Sequence, residues 1–276
     1  MILTIIGETI IILYYNTKFH IIKLFILMKS LEKVFKIVDL LDEKTELKFT
    51  EVVNLSNLNK STVYRILKIL LKYRYVTKNE KILKYKIGPK FLNIASTMIG
   101  NMEIREIAQP YINQLSKVTS ETIHLGALIA GEVIYIDKKE SIHGMRMVSQ
   151  IGRSVPFYCT GLGKAILAFQ PEYFIEETIN KSNLVKFTKN TITNKKELLK
   201  EIDEIRTQGI ALDREEHEKG VCCIAAPIRD HWGNVSAALS ISAIKIRLGI
   251  NDLLSYKDLL LEKTESISNE LGYIKM

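Results

Sequence analysis

The sequence predicts an α+β chain in two domains: a small three-helix unit closed by a β-hairpin, then a larger unit of antiparallel strands flanked by helices. Three observations carry this. Helical apolar spacing recurs in three short segments between residues 30 and 72, and two short alternating runs follow. The basic surplus sits in the same stretch, since residues 29–90 hold 15 Lys/Arg against 7 Asp/Glu and residues 91–276 hold 22 against 23. Beyond it, strand-like runs meet at glycine turns in "IHLGALIAGEVIYIDKKE", around Gly131, and in "VCCIAAPIRDHWGNVSAALSIS", around Gly233-Asn234.

A length of 276 residues is enough for two cores. With 47% hydrophobic and 25% charged residues, the composition is that of a globular protein and excludes a disordered or fibrous chain. The net charge of +8 equals the surplus of residues 29–90 alone, the electrostatic footprint of a nucleic-acid-binding module. A general lysine bias would spread it evenly. Cys159, Cys222 and Cys223 lack CxxC spacing and form neither a disulfide framework nor a zinc site, which predicts a reducing, cytoplasmic compartment.

Residues 1–28 read as an extension. The stretch is strongly apolar, but Glu8, Lys18, His20 and Lys23 interrupt it, so no run reaches the roughly 18 residues of a membrane span. It also lacks the basic start and small-residue cleavage site of a signal peptide. The preferred reading is a misassigned start, with Met28 as the true one, because "MKSLEKVFKIVDLL" opens a patterned domain directly. The alternatives are an extra helix at a dimer interface or on a membrane surface.

Residues 29–90 build the first domain. Leu31, Val34, Phe35, Val38 and Leu41 have helical spacing after a capping Ser30. In "FTEVVNLSNL", Thr50 is the expected N-cap and Val52, Val53 and Leu55 the buried side of a second helix that stops near Asn57. A short turn leads to a third helix, "LNKSTVYRIL", in which Val63, Ile66, Leu67 and Leu70 face the core. That leaves Lys60, Ser61, Thr62, Tyr64, Arg65 and Lys68 outside. A solvated polar face is the bland explanation, but the set has the chemistry of a major-groove reader: hydroxyls and amides for phosphate, Arg for guanine edges, an aromatic for thymine methyls. Strands at Tyr75–Lys78 and Leu83–Ile87 then flank a turn, studded by Lys78, Lys81, Lys84 and Lys86. Three helices and a basic hairpin make a winged helix-turn-helix.

With these elements in order, "KSTVYRILKILLKYRYVTKN", the exit "YKIGPKFLNIA", and later "VPFYCTGLGKAILAF" and "GIALDREEHEKGVCCIAAPIRDHWGNVSAALSIS", the chain resembles the IclR-type transcriptional regulators from about Lys29 to its end. The resemblance implies a GAF-like effector-binding domain over residues 104–276, reached through a linker helix at 91–103. It implies a regulator, more often a repressor, that binds double-stranded DNA and responds to a small organic acid. A homodimer, or a tetramer, is expected because one recognition helix contacts too few base pairs. No cofactor, metal, membrane or catalytic residue is expected.

The positions matching the family's ligand pocket are Gly161 and Leu162 in "CTGLG", Asp213 in "LDREEH", Cys223 in "VCCIA", and Ser240 and Ser242 in "LSIS". Ser240 and Ser242 share a strand face. Two glycines at a helix start offer free amides to an anion, although close packing on a sheet explains Gly-x-Gly equally well. Asp213, Glu215, Glu216 and His217 raise an enzymatic reading, against which stand a solvated acidic turn and the absence of a paired nucleophile. The alternative function is a cysteine-dependent redox enzyme or sensor using Cys159, Cys222 and Cys223. His124, His143 and His231 lack metal-ligand spacing and read as core or surface residues.

Overall fold

The computed structural model describes residues 30–274 apart from 101, 145, 146 and 148; the N-terminal extension and its Met28 start lie outside them. The chain divides into two compact units after Gly100.

In the first unit, α1 (residues 30–43) is followed by β1 (Leu47–Lys48), α2 (Phe49–Ser56), α3 (Lys60–Lys72), β2 (Val76–Asn79), β3 (Lys84–Ile87) and α4 (Pro89–Gly100). The strands pair antiparallel in the order β1-β3-β2, so the hairpin acquires a third strand that sequence periodicity does not announce. The core gathers Ile37 and Leu41 of α1, Val52 of α2, and Val63, Ile66, Leu67 and Leu70 of α3. Burying each large aliphatic side chain contributes about 1.5–3 kcal/mol.

Three expectations are corrected here. Ile37 takes the core place expected for Leu31 and Phe35, which are 55% and 58% exposed. At 3.6 residues per turn, Ile37, Leu41, Val34 and Val38 span an arc of roughly 100°, and Leu31 and Phe35 fall beyond its edge. The second helix begins at Phe49, so Thr50 lies inside it, and Glu51 closes its start by accepting the Lys48 N–H at 2.6 Å. Leu55 is exposed, while Asn57 ends the helix in the left-handed region that asparagine tolerates. In α3 the four residues expected inside are the four buried, and Asn59 caps the start by accepting the Thr62 N–H at 2.9 Å.

The second unit opens with α5 (Glu103–Thr119), which carries Pro110 within it. Six strands follow among the described residues: β4 (Thr122–Ile129), β5 (Glu132–Lys139), β6 (Ser154–Val155), β7 (Ala211–Arg214), β8 (Val221–Arg229) and β9 (Val235–Ile244). They form one antiparallel sheet in the order β6-β5-β4-β9-β8-β7. Both expected hairpins are present. Alternation along the strands feeds two cores. Leu125, Ile224, Leu239 and Ile241 pack with α5, α9 (Ile250–Leu254) and α10 (Lys257–Glu270). Ala225, Ala238 and Val133 pack with α6 (Gly161–Leu167), α7 (Glu172–Lys181) and α8 (Lys195–Gln208). The segment "LLSYKDLLLEKTESISNEL", whose apolar pattern reads as one last helix, is divided between two, α9 and α10.

Helix α6 lies tight against the chain that precedes it. A Cβ at Gly163 would stand 2.4 Å from the Pro156 carbonyl oxygen and 2.7 Å from the Thr160 Oγ1 that caps the helix. Backbone would have to move. Gly163→Ala should therefore cost about 1–3 kcal/mol, in the range of overpacking; an unchanged melting temperature would contradict this packing.

Candidate functional site

The outward face of α3 presents Lys60, Ser61, Tyr64, Arg65 and Lys68 to solvent, with Thr62 half-buried. Tyr64 is 59% exposed, far more than a ring needed for the core. The Ser61 hydroxyl donates to Asn59 Oδ1 at 3.0 Å, and the Thr62 N–H is taken by the same cap, so both hold the helix start in place. On the hairpin, Lys78 Nζ pairs with Glu80 at 2.7 Å and Lys84 Nζ with Glu46 at 2.6 Å. The hydrogen bond from each lysine to its carboxylate raises its pKa. Lys81 is exposed and has no carboxylate within ion-pair distance among the described residues.

In the second unit, strand register brings distant residues together. Asp213 on β7 stands opposite Cys223 on β8, Cys223 opposite Ser242 on β9, and Ser242 opposite Thr122 on β4. The next row on the same face runs Ala225, Ser240, His124. Gly161 lies over both rows, its missing Cβ 3.3 Å from the Ala225 Cβ and 3.4 Å from the Cys223 Cβ. A cavity of about 330 Å³ results, lined by all six residues that the sequence singled out: Gly161, Leu162, Asp213, Cys223, Ser240 and Ser242. Leu162 reaches this position because Gly126 has no side chain; a Cβ there would be 3.0 Å from Leu162 Cδ1.

The cavity also takes residues that sequence reading missed. His124, read as a core or surface residue, is 3% exposed, and its ring bridges Ser149 Oγ at 2.7 Å and Ser242 Oγ at 3.3 Å. Tyr135, Ser149, Arg153, Thr160 and His217 line it too. Strand parity could have nominated His124, since it shares a face with Gly126. Tyr135 comes from β5, where it stands opposite Gly126, and the others arrive from turns and loops. Burial dominates the proton affinities: it lowers His124 to about 3, helped by the charge of Lys138, and raises Asp213 to about 7 against the hydrogen bonds donated by Glu216 and His217.

The acidic turn is not a solvated one. Glu216 is 2% exposed and holds the fully buried Lys164 ammonium with both carboxylate oxygens, at 2.6 and 2.8 Å, while Glu201 of α8 adds a third contact at 3.0 Å. Asp213 Oδ1 accepts the Glu216 N–H at 2.7 Å. Glu215 pairs with Lys245. Three of the four groups considered for catalysis are thus committed to the turn itself.

The cysteines do not form a set. Cys222 and Cys223 point to opposite faces of β8, the first into the α5–α10 core and the second into the cavity, while Cys159 sits in the α6–α8 core. Burial pushes the Cys159 thiol up to about 12 and raises the other two, so thiolate is scarce at all three. Among the described residues no cluster of three or more His, Cys, Asp or Glu could hold a metal ion, and no helix is long and apolar enough to cross a membrane.

A winged helix-turn-helix with a basic outer face, followed by an antiparallel-sheet domain enclosing a polar cavity, defines a two-domain regulator of the helix-turn-helix class. Comparison with known proteins narrows this. The family model "Bacterial transcriptional regulator IclR C-terminal" matches residues 96–269, and "IclR helix-turn-helix domain" matches residues 30–80. The chain is 34% identical over 248 residues to the HTH-type transcriptional regulator XynR of Escherichia coli (strain K12), covering 90% of this chain and 98% of the relative. It is 37% identical over 225 residues to the DNA-binding transcriptional repressor YiaJ of the same organism, covering 79% of each. The crystal structure of the Thermotoga maritima IclR aligns with a TM-score of 0.74 at 35% identity, over 89% of this chain and 100% of that one. The protein belongs to the IclR family of DNA-binding transcriptional regulators.

The raised Asp213 carboxyl has a consequence for stability. A group whose pKa is higher in the folded state binds more protons there, so its contribution is fully present below the unfolded value near 4 and is lost as pH rises through about 7. Relative to the parent, Asp213→Asn should gain thermal stability as pH increases across this window. Parallel melting-temperature profiles of the two proteins would refute it.

Proposed function

We propose that the protein is a repressor that reads DNA with α3 and the lysine hairpin as a homodimer, and that a small organic acid in the cavity of the second unit modulates it. The observation that carries the sensor half is the convergence of Gly161, Leu162, Asp213, Cys223, Ser240 and Ser242 on one cavity. The repressor named among the relatives supports the direction of control. Arg65 would reach base edges and Tyr64 a thymine methyl, with Lys60 and Lys68 on phosphates. Ser61 and Thr62 contribute through the capped helix start. In the cavity, the acid's carboxylate would meet Arg153, the first amides of α6, which have no intrahelical acceptor, and the serine hydroxyls.

The wing lysines divide by their partners. Lys78 and Lys84 already hold carboxylates, so contacting phosphate means competing with Glu80 and Glu46. Lys81→Ala should therefore weaken DNA binding more than Lys84→Ala, uniformly across sequences, and reduce the salt slope by about one. Arg65→Ala should cost about 1–3 kcal/mol and relax sequence preference. Gel shifts over a salt series check both, and an Arg65 variant that keeps full discrimination between operator and scrambled DNA would remove α3 as the reader.

Ser240→Ala combined with Ser242→Ala should abolish the response to an inducing acid while leaving operator affinity intact, because both residues lie in the second unit. Linkage is reciprocal, so an acid that releases DNA binds the DNA-bound form less tightly. Calorimetry that finds unchanged acid binding in the double variant would mean the effector binds elsewhere.

A further inference from the structure

The C-terminal end of α3 carries a second group of cations. Lys72 in its last turn, Arg74 in the turn to β2 and Lys90 at the start of α4 line one groove of about 560 Å³, together with Tyr73, Tyr75 and Asn93. All three cations are exposed. Among the described residues no carboxylate lines this groove or lies within ion-pair distance of them, unlike Lys78 and Lys84 on the wing. Like charges gathered in one groove repel, so an anion among them lowers the energy of all three.

The backbones that bear these cations are locked together. The Lys90 N–H donates to the Arg74 carbonyl at 3.1 Å and the Gly88 N–H to the Tyr75 carbonyl at 2.8 Å. A Cβ at Gly88 would stand 2.3 Å from that Arg74 oxygen, so the close approach requires glycine. The Tyr75 and Phe91 rings meet edge to face at 5.2 Å and seat the start of α4 on the turn. Tyr73 is 58% exposed, with the Lys72 ammonium 5.4 Å from the centre of its ring.

Position relative to the reading face names the anion. Lys72 follows Ser61 by eleven residues, just over three turns, so Ser61, Arg65, Lys68 and Lys72 form a single stripe about 60° wide. Lys72 also lies about 16 Å beyond Ser61 along the axis, more than the roughly 12 Å width of the major groove. A helix that crosses the groove with its first turns on base edges therefore brings its last turn over the phosphates at the rim.

We propose that Lys72, Arg74 and Lys90 form a second phosphate site, which grips the DNA backbone flanking the base pairs read by α3 and adds affinity without sequence preference. The inference rests on α3 as the reading helix. An acidic protein surface has the same charge but does not account for the continuity of Lys72 with the reading stripe. A guanidinium, two ammoniums, the Tyr73 hydroxyl and the Asn93 amide are all groups that contact phosphate in protein–DNA interfaces.

The full chain is tested by fluorescence anisotropy over a salt series on two duplexes of about 40 base pairs, long enough for two half-sites and their flanks. One has random sequence, and the other is selected from a random library by the parent protein. The triple variant Lys72→Gln, Arg74→Gln, Lys90→Gln should lower the salt slope by about two to three per protomer and weaken both duplexes about tenfold or more, leaving the ratio between them unchanged. Each single variant should lower the slope by about one, which carries the test if the triple variant melts early. Ethylation of the phosphates flanking the read base pairs should block the parent and make no difference to the triple variant. Unchanged slope and affinity in folded variants, with Arg65→Ala still relaxing sequence preference, would overturn the inference, leave α3 as the reader and turn the cluster towards an acidic protein. Weakening of the selected duplex alone would also overturn it, since the cluster would then read sequence. An Arg65→Ala variant with full discrimination would overturn both readings, as would a parent protein that binds no duplex.

Discussion

Lys164 carries a full charge with no exposure, and it can do so only because Glu216 and Glu201 meet it. Removing a cation from water costs several kcal/mol, offset only when geometry is good and the remaining lone pairs are satisfied. Here Glu216 Oε1 also accepts the Arg214 N–H at 3.3 Å, and Arg214 pairs with Glu201 at 3.1 Å. The cluster spans α6, the turn after β7, and α8. Lys164 is three residues from Gly161 and Glu216 three from Asp213, so one buried ion pair ties together the two walls of the cavity. The acidic residues that look like catalytic candidates in the sequence are the counter-charges this lysine requires.

The turn bearing Glu216 is held from outside as well. The Thr188 hydroxyl donates to the Glu215 carbonyl and the Thr191 hydroxyl to the Glu216 carbonyl, both at 2.6 Å, while Asn190 Nδ2 donates to the Arg214 carbonyl at 2.8 Å. Backbone groups that a buried loop would otherwise leave unpaired are thereby satisfied. Charge neutralisation inside the turn and hydrogen bonding around it leave Asp213 as the buried carboxyl of the cavity, which the exposed Glu218 also lines. Its proton affinity follows from that isolation: burial raises it, the charge of Glu216 adds to the rise, and Lys164 opposes it. A carboxyl of this kind donates to a hydroxyl when protonated and accepts from one when ionised, whereas a fully ionised carboxylate only accepts.

The first unit solves a different problem. Its reading helix must present cations and an aromatic to solvent while remaining rigid, and rigidity comes from the four aliphatic residues beneath and the Asn59 cap at its start. The Ser61 hydroxyl and the Thr62 N–H serve that cap. The wing shows how position within a sheet alters the meaning of a charge. Lys84 lies on the central strand β3 opposite Lys48 of β1, and Glu46, just ahead of β1, comes within reach. Lys81, at the hairpin tip, keeps its charge for whatever approaches.

The sequence by itself determined what depends on near neighbours. The stripe Val63, Ile66, Leu67, Leu70 and the two long hairpins follow from periodicities of 3.6 and 2 and from turn chemistry, which act over a few residues. The pocket residues were legible through resemblance, not through spacing, for Asp213 and Ser242 are linked only by register across three strands. Tertiary structure alone decided that Phe35 and Leu55 stay exposed, that His124 enters the cavity, that Lys84 is already paired, and that Glu216 is buried on a lysine 52 residues away. The physical reason is that a side chain's burial and its charge partner are set by what packs against it from distant parts of the chain. Local pattern fixes which face a residue lies on; packing fixes what that face meets.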